Sequence, residues 1–210
     1  MNFPILGIVY GKDSENLAVS FPAVSTIAIC AGGVMGLPLV ISGYRQNKIL
    51  KRFKVTPVSP GLLLFVQVII YTVYSVVSLI LVFLTANIFF GFHLPGSWLK
   101  FIGAFALVMI SMFSIGTLVG DVSPNTKIAS ITASVLYFPM LIFSGATLPY
   151  EIMPAPLQKV ADVMPLTQGI KILKSVALDK PIDNIALPLI IICAVVVVCT
   201  VLSVKFFKWE

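Results

Sequence analysis

Charge is scarce in this sequence: Asp, Glu, Lys and Arg make up 10% of its 210 residues, where soluble domains carry about a quarter. Histidine occurs once, at His93. A hydrolase, metal enzyme or nucleotide enzyme needs polar groups converging on a reacting atom, and the sequence offers few. A metal site needs several His, Cys or carboxylate ligands. Here Cys30, Cys193 and Cys199 all lie inside apolar runs, far along the chain from His93. That leaves His93 as a solvated loop residue and excludes a disulfide framework. Gly7, Gly11, Lys12 and Asp13 have one residue too few between the glycines for a phosphate-binding loop, and lack the Ser/Thr that would hold magnesium. No early Lys/Arg precedes an apolar stretch with a small-residue cleavage site, so no cleavable signal peptide is expected. The sequence therefore predicts no catalytic residue, no metal site and no cofactor bound by this chain.

Apolar length is what the sequence has in abundance. Hydrophobic residues account for 59% of the chain, and the mean hydropathy is +1.06. A hydrocarbon core about 30 Å thick needs about 20 mostly apolar residues. Runs of that size occur at 21–42, 62–92, 99–119, 128–148 and 185–207. None has a charge in its interior, and Lys100 and Lys205 sit at ends, where long side chains reach the interface. The expected fold is an all-α, polytopic membrane helix bundle with about five spans and a short external re-entrant or surface-helix segment. The second run exceeds one crossing, so it is expected to tilt, kink or project near Asn87 to Gly91.

Charge decides orientation. The segment 43–60 holds Arg45, Lys48, Lys51, Arg52 and Lys54 and no acidic residue, which places it in the cytoplasm by the positive-inside rule. The connection with Asp121 and Lys127 and the C-terminal Lys205 and Lys208 are then cytoplasmic as well. The loop from His93 to Trp98, the segment 149–184 and residues 1–20 are external. The net charge of +6 is a topology signal of this kind rather than the footprint of a nucleic-acid partner. Trp98 and Trp209 stand where an interfacial aromatic belt would place them. The transmembrane domain is thus 21–210, expected in the cell's inner (cytoplasmic) membrane, with external residues 1–20 ahead of it.

Local signals agree with these boundaries. Ser59 before Pro60 and Asp183 before the last run suit helix starts. Pro149, Pro154, Pro156 and Pro165 break the external segment into short helices. Within it, Leu166, Ile170, Leu173 and Ala177 recur at helical spacing, as expected of a helix lying on the membrane surface. Ile49, Leu50 and Phe53, with Lys48, Lys51, Arg52 and Lys54 around them, describe a short amphipathic helix that could attract anionic headgroups or dock a partner. Gln67, Tyr71, Tyr74, Ser75 and Ser78 line one face of the second run, which must meet protein or water: they either bond to neighbouring helices or line a substrate path. Gly32 and Gly36, followed by Pro38, permit close helix approach and a kink.

Two stretches carry a resemblance. Leu50, Lys51, Arg52 and Phe53, followed by Thr56, Pro57, Val58, Ser59 and Pro60, form one. The other runs from Phe143, Ser144 and Gly145 through Leu148, Pro149, Met153, Pro154, Leu157 and Gln158 to Pro165, Leu166 and Thr167. Together they resemble the permease subunits of type-2 ABC exporters, the bacterial group that moves drugs, antibiotics, lipids and polysaccharides outward. The resemblance covers nearly the whole chain. It implies that Arg45, Lys48, Leu50, Lys51, Arg52 and Phe53 belong to a coupling helix that docks on an ABC ATPase subunit. It implies that Gly145, Pro149, Pro154 and Pro165 belong to an external cap over the exit. ATP and magnesium would be bound by that partner chain, and a second permease copy or homologue would complete the pathway.

The chain departs from that pattern in two places. The family's amphipathic N-terminal helix and first span have no counterpart, so the five runs would correspond to its second to sixth. Its usual acidic residue before the arginine is also absent, with Gly43 and Tyr44 in that region and Asn47 where glycine is common. Two functions follow as expectations. One is a permease coupling ATP hydrolysis on another subunit to outward movement of an amphipathic drug, antibiotic, lipid or peptide. The other is a truncated, non-transporting membrane protein with an immunity, sensor or interaction role.

Overall fold

The computed structural model describes residues 14–49, 60–92, 94, 96–147, 153–179 and 185–206. Among them the chain is mostly helical, with no strand. The helices are α1 (Ser14–Cys30), α2 (Leu37–Gln46), α3 (Pro60–Phe90), α4 (Trp98–Val122), α5 (Thr126–Ile142), α6 (Ala155–Val163), α7 (Pro165–Leu178) and α8 (Ala186–Phe206). Four stretches are long and apolar enough to cross a membrane: Val19–Gln46, Gly61–Phe90, Trp98–Val122 and Ala186–Lys205. The first helix starts at Ser14, earlier than the apolar run that predicts it.

α1 and α2 form one rod joined by a wider, π-helical segment, Ala31–Gly36. Pro38 has no N–H for the carbonyl of Val34, and three glycines make the backbone easy to widen. The Leu37 N–H accordingly bonds five residues back, to Gly32 O. This segment crosses α4 at glycines. A Cβ at Gly116 would lie 1.9 Å from Gly33 O, and one at Gly120 would lie 2.8 Å from Ile41 Cβ. Gly116 and Gly120 thus supply the small-xxx-small face of the crossing. Gly32 and Gly36, which the sequence offers for that role, instead receive the ring of Tyr71 from α3, whose Cε1 would be 2.7 Å from a Cβ at Gly36.

One end of the bundle is aromatic. Phe21 of α1 stacks on Phe101 of α4 at 5.4 Å between centroids and touches Phe92, while Phe83 of α3 meets Trp98 edge-on at 4.7 Å. α3 ends at Phe90, between two members of this cluster, Phe83 and Phe92. Gly91 takes φ +62, and the Asn87 side chain donates to Phe92 O at 2.9 Å. Beyond it, the Gly96 N–H bonds to Ala177 O at 3.2 Å, seating the α3–α4 connection on the end of α7.

Two expectations need correction. The run 128–148 gives a helix only to Ile142, so α5 is a shorter apolar helix than the others. Ser144 and Thr147 hydroxyls donate to Leu141 O at 2.7 and 2.9 Å, and Gly145 at φ +74 turns the chain away. Its apolar residues continue, but its carbonyls are capped.

The helix at 165–178 does not lie on a surface: nine of its fourteen residues are buried. Gly169 lets α7 press on Val108 near the middle of α4, where a Cβ would come within 2.9 Å. Polar residues that suggest a wetted helix are bonded within the protein. Thr167 donates to Phe143 O, Gln168 to Asp162 O, and Lys171 pairs with Asp162 of α6 at 2.6 Å. α7 is therefore a buried helix about 21 Å long, starting level with mid-α4 and ending at the aromatic end, with α6 packed against it.

Candidate functional site: the polar end of the bundle

Opposite the aromatic end, the C-termini of α2, α4 and α8 meet the start of α5. α4 leaves carbonyls without intrahelical partners at its end, and Arg45 of α2 reaches them. Its guanidinium donates to Asp121 O at 2.6 Å and Ser123 O at 2.9 Å, with a longer contact to Gly120 O at 3.5 Å. A cation over a helix C-terminus is also favoured by the helix dipole. Asp121 itself is buried, and its carboxylate accepts a hydrogen bond from the Ser203 hydroxyl of α8. Gln46 Oε1 accepts from both the N–H and the hydroxyl of Thr126, at 3.0 and 2.8 Å, tying α2 to α5. Asn125 caps α5 by accepting from Ile128 N at 2.9 Å. Four helices are thus held by three side-chain ties, α2 to α4, α4 to α8 and α2 to α5.

α2 closes with Asn47 N bonded to Gly43 O, and Lys48 follows in a left-handed conformation, φ +54, exposed. Leu50, Lys51, Arg52 and Phe53 lie outside the described residues, as do Ser59, His93, Pro149 and Asp183. Within the proposed docking set the structure therefore places Arg45, turned onto α4, and Lys48, turned to the surface.

The polar stripe of α3 divides. Gln67 donates to the Tyr44 hydroxyl of α2, Tyr71 covers Gly32 and Gly36, and Ser75 is buried. Tyr74 is 62% exposed and meets the protein through the edge of Tyr71, with ring centroids 5.9 Å apart. Of the cap residues, Gly145 makes the turn after α5, Pro154 precedes α6, and Pro165 opens α7 as a buried residue.

The sequence profile of the ABC-2 type transporter family matches residues 1–178. The chain belongs to this family. It is also similar to curated proteins each called Nodulation protein J. The one from Rhizobium leguminosarum bv. viciae is 26% identical over 114 residues, 53% of this chain and 44% of that protein. The one from Sinorhizobium fredii (strain NBRC 101917 / NGR234) is 27% identical over 115 residues, with the same coverage. The one from Rhizobium meliloti (strain 1021) is 25% identical over 103 residues, covering 49% of this chain and 39% of its own. The matched stretch thus spans less than half the length of these relatives. No solved structure matches.

This ABC-2 type chain is a multi-pass membrane protein. Its polar end contains a buried partner that sequence reasoning passed over: Asp121, assigned to a connection, closes α4 under Arg45 and Ser203. The signal available was an acidic residue directly abutting an apolar run, which carries a functional presumption in a membrane protein. The crossing glycines Gly116 and Gly120 were also legible as a spaced pair, though nothing in the sequence identifies Gly33 and Ile41 as what they face.

Proposed function

We propose that this chain is the membrane subunit of an exporter driven by ATP hydrolysis on a separate ABC ATPase subunit. The observation that carries the reading is the family match over residues 1–178, which includes the basic segment and helices α6 and α7. In this reading the chain lies in the cytoplasmic membrane with its basic segment and C-terminus inside, and works beside a second permease copy or homologue. Lys48, Leu50, Lys51, Arg52 and Phe53 dock on the ATPase, with Arg45 behind them fixing the end of α2. ATP and magnesium stay on the partner. The cargo is amphipathic, of the drug, antibiotic, lipid or peptide kind, because apolar pathways select by shape and amphipathicity.

The work is mechanical. Closure of the ATPases displaces the basic segment, and the spans shift between conformations of differing cargo affinity. Gly145, Pro149, Pro154 and Pro165 shape the external cap, and the stripe from Gln67 to Ser78 serves mainly to pack α3, leaving Tyr74 toward lipid or a partner.

The test is a pull-down from detergent-solubilised membranes with the neighbouring ATPase subunit co-expressed. The native chain is expected to retain the ATPase, and a variant with Lys51, Arg52 and Phe53 replaced by Ala is expected to lose it. A native chain that is stable in the membrane yet binds no ATPase would instead point to a non-transporting immunity, sensor or interaction role.

A further inference from the structure

Burying a carboxylate at the end of a spanning helix is costly, and Asp121 is 2% exposed. Ser203 offsets part of that cost by donating to Oδ2, and the Arg45 charge acts on the same carboxylate. The other oxygen, Oδ1, has no hydrogen-bond partner among the described residues. Helix termination does not require the buried carboxylate, since Arg45 already satisfies backbone carbonyls at the end of α4. An apolar residue would fill such a place at less cost. What the arrangement does supply is a joint. Arg45 spans from α2 to the last carbonyls of α4, Asp121 spans from α4 to α8, and Ile41 lies against Gly120 just beneath. Past Gln46 the chain leaves the helix through the left-handed Lys48. Force arriving from the segment that follows can therefore enter α4 and α8 at this end through these side-chain ties and close packing.

We propose that Arg45 and Asp121 are positioning residues for transport, making the end of α2 move as one body with the ends of α4 and α8. The proposal rests on the transporter reading, because it concerns how displacement of the basic segment is passed on. Arg45 acts through the α4 carbonyls and Asp121 through Ser203, and neither touches cargo or nucleotide. Gln46 with Thr126 extends the same body to α5.

The experiment uses the full chain with its ATPase subunit, in a background with Cys30, Cys193 and Cys199 replaced by Ala, carrying spin labels at Asn47→Cys beyond the end of α2 and at the exposed Val204→Cys of α8, a pair whose separation crosses both the Arg45 and the Asp121 ties. Distances between the labels are measured without nucleotide and after trapping with ATP, magnesium and vanadate, in the native joint and in Asp121→Asn, Arg45→Ala and Arg45→Lys. The isosteric Asp121→Asn removes the charge while keeping shape, and co-purification with the ATPase confirms that each variant is folded and docked. The native joint is expected to give one narrow distance, the same in both states. Asp121→Asn and Arg45→Ala are expected to shift or split it on trapping, and Arg45→Lys to restore it in part. A native distance that shifts on trapping, or one that stays narrow in both Asp121→Asn and Arg45→Ala, overturns the joint and leaves the transporter reading standing. Failure of the native chain to hold the ATPase overturns the transporter reading and the proposal with it.

Discussion

The helices of this protein fall into two groups that their hydropathy ranks in the wrong order for burial. In the most apolar stretch of α1–α2 and of α4, 50% and 56% of the residues are buried, against 6% in α3 and 11% in α8, although α3 and α8 are the more apolar pair. In water, greater apolarity would drive a helix inward. In lipid it does not, because hydrocarbon chains satisfy Leu or Val as well as protein does. What brings a helix inward here is glycine, small residues and polar groups that need partners. α4 has Gly116, Gly120, Ser111 and Ser114 on its buried face, whereas α3 shows Phe65, Ile69, Val73 and Leu81 to the outside.

This contrast is open to direct attack. The largest effect is expected from Gly116→Ala, whose methyl group would meet Gly33 O at 1.9 Å. It should cost more than about 4 kcal/mol or abolish folding, read as loss of monodisperse protein after detergent extraction. Gly103→Ala on the same helix, with nothing within 4 Å, serves as its control and should change little. Next comes Phe101→Ala, which empties the centre of the aromatic cluster and should lower stability by about 3 kcal/mol in thermal unfolding in detergent. Tyr44→Phe removes the hydroxyl that accepts from Gln67. Interhelical bonds of this kind average about 0.6 kcal/mol, a small shift best resolved by unfolding in mixed micelles. Smallest of all is Leu81→Ala, at a position 58% exposed on α3, expected to stay within about 0.5 kcal/mol. A large loss there would mean that α3 is covered by another chain, and the two groups of helices would then differ only within the monomer.

Much of the architecture was legible because membrane spans announce themselves. The bilayer sets a length, and the runs at 62–92, 99–119 and 185–207 became helices within about three residues of those limits at the ends described. Length alone misled at α5, where the run continues past the helix because hydroxyls of Ser144 and Thr147 take up the last carbonyls. It also misled at α7, where a wheel with two lysines reads as a surface helix until Gly169 and the Lys171–Asp162 pair are seen in place. The polar end was half legible. Arg45 stood out by charge and Asp121 only by position, and their meeting joins residues 76 apart in the chain. Such pairings are set by which helix ends are neighbours, which no local pattern encodes.

The π-helical segment between α1 and α2 acts as a phase shifter. Each residue advances an α-helix by about 100°, so the extra residue held in Ala31–Gly36 sets the angular offset between the two ends of the rod. With it, Phe21 meets the aromatic cluster while Arg45, two dozen residues on, points at α4. Deleting one glycine from the segment would leave both ends chemically intact and about a quarter turn out of step, so that the rod could satisfy one end of the bundle and not the other.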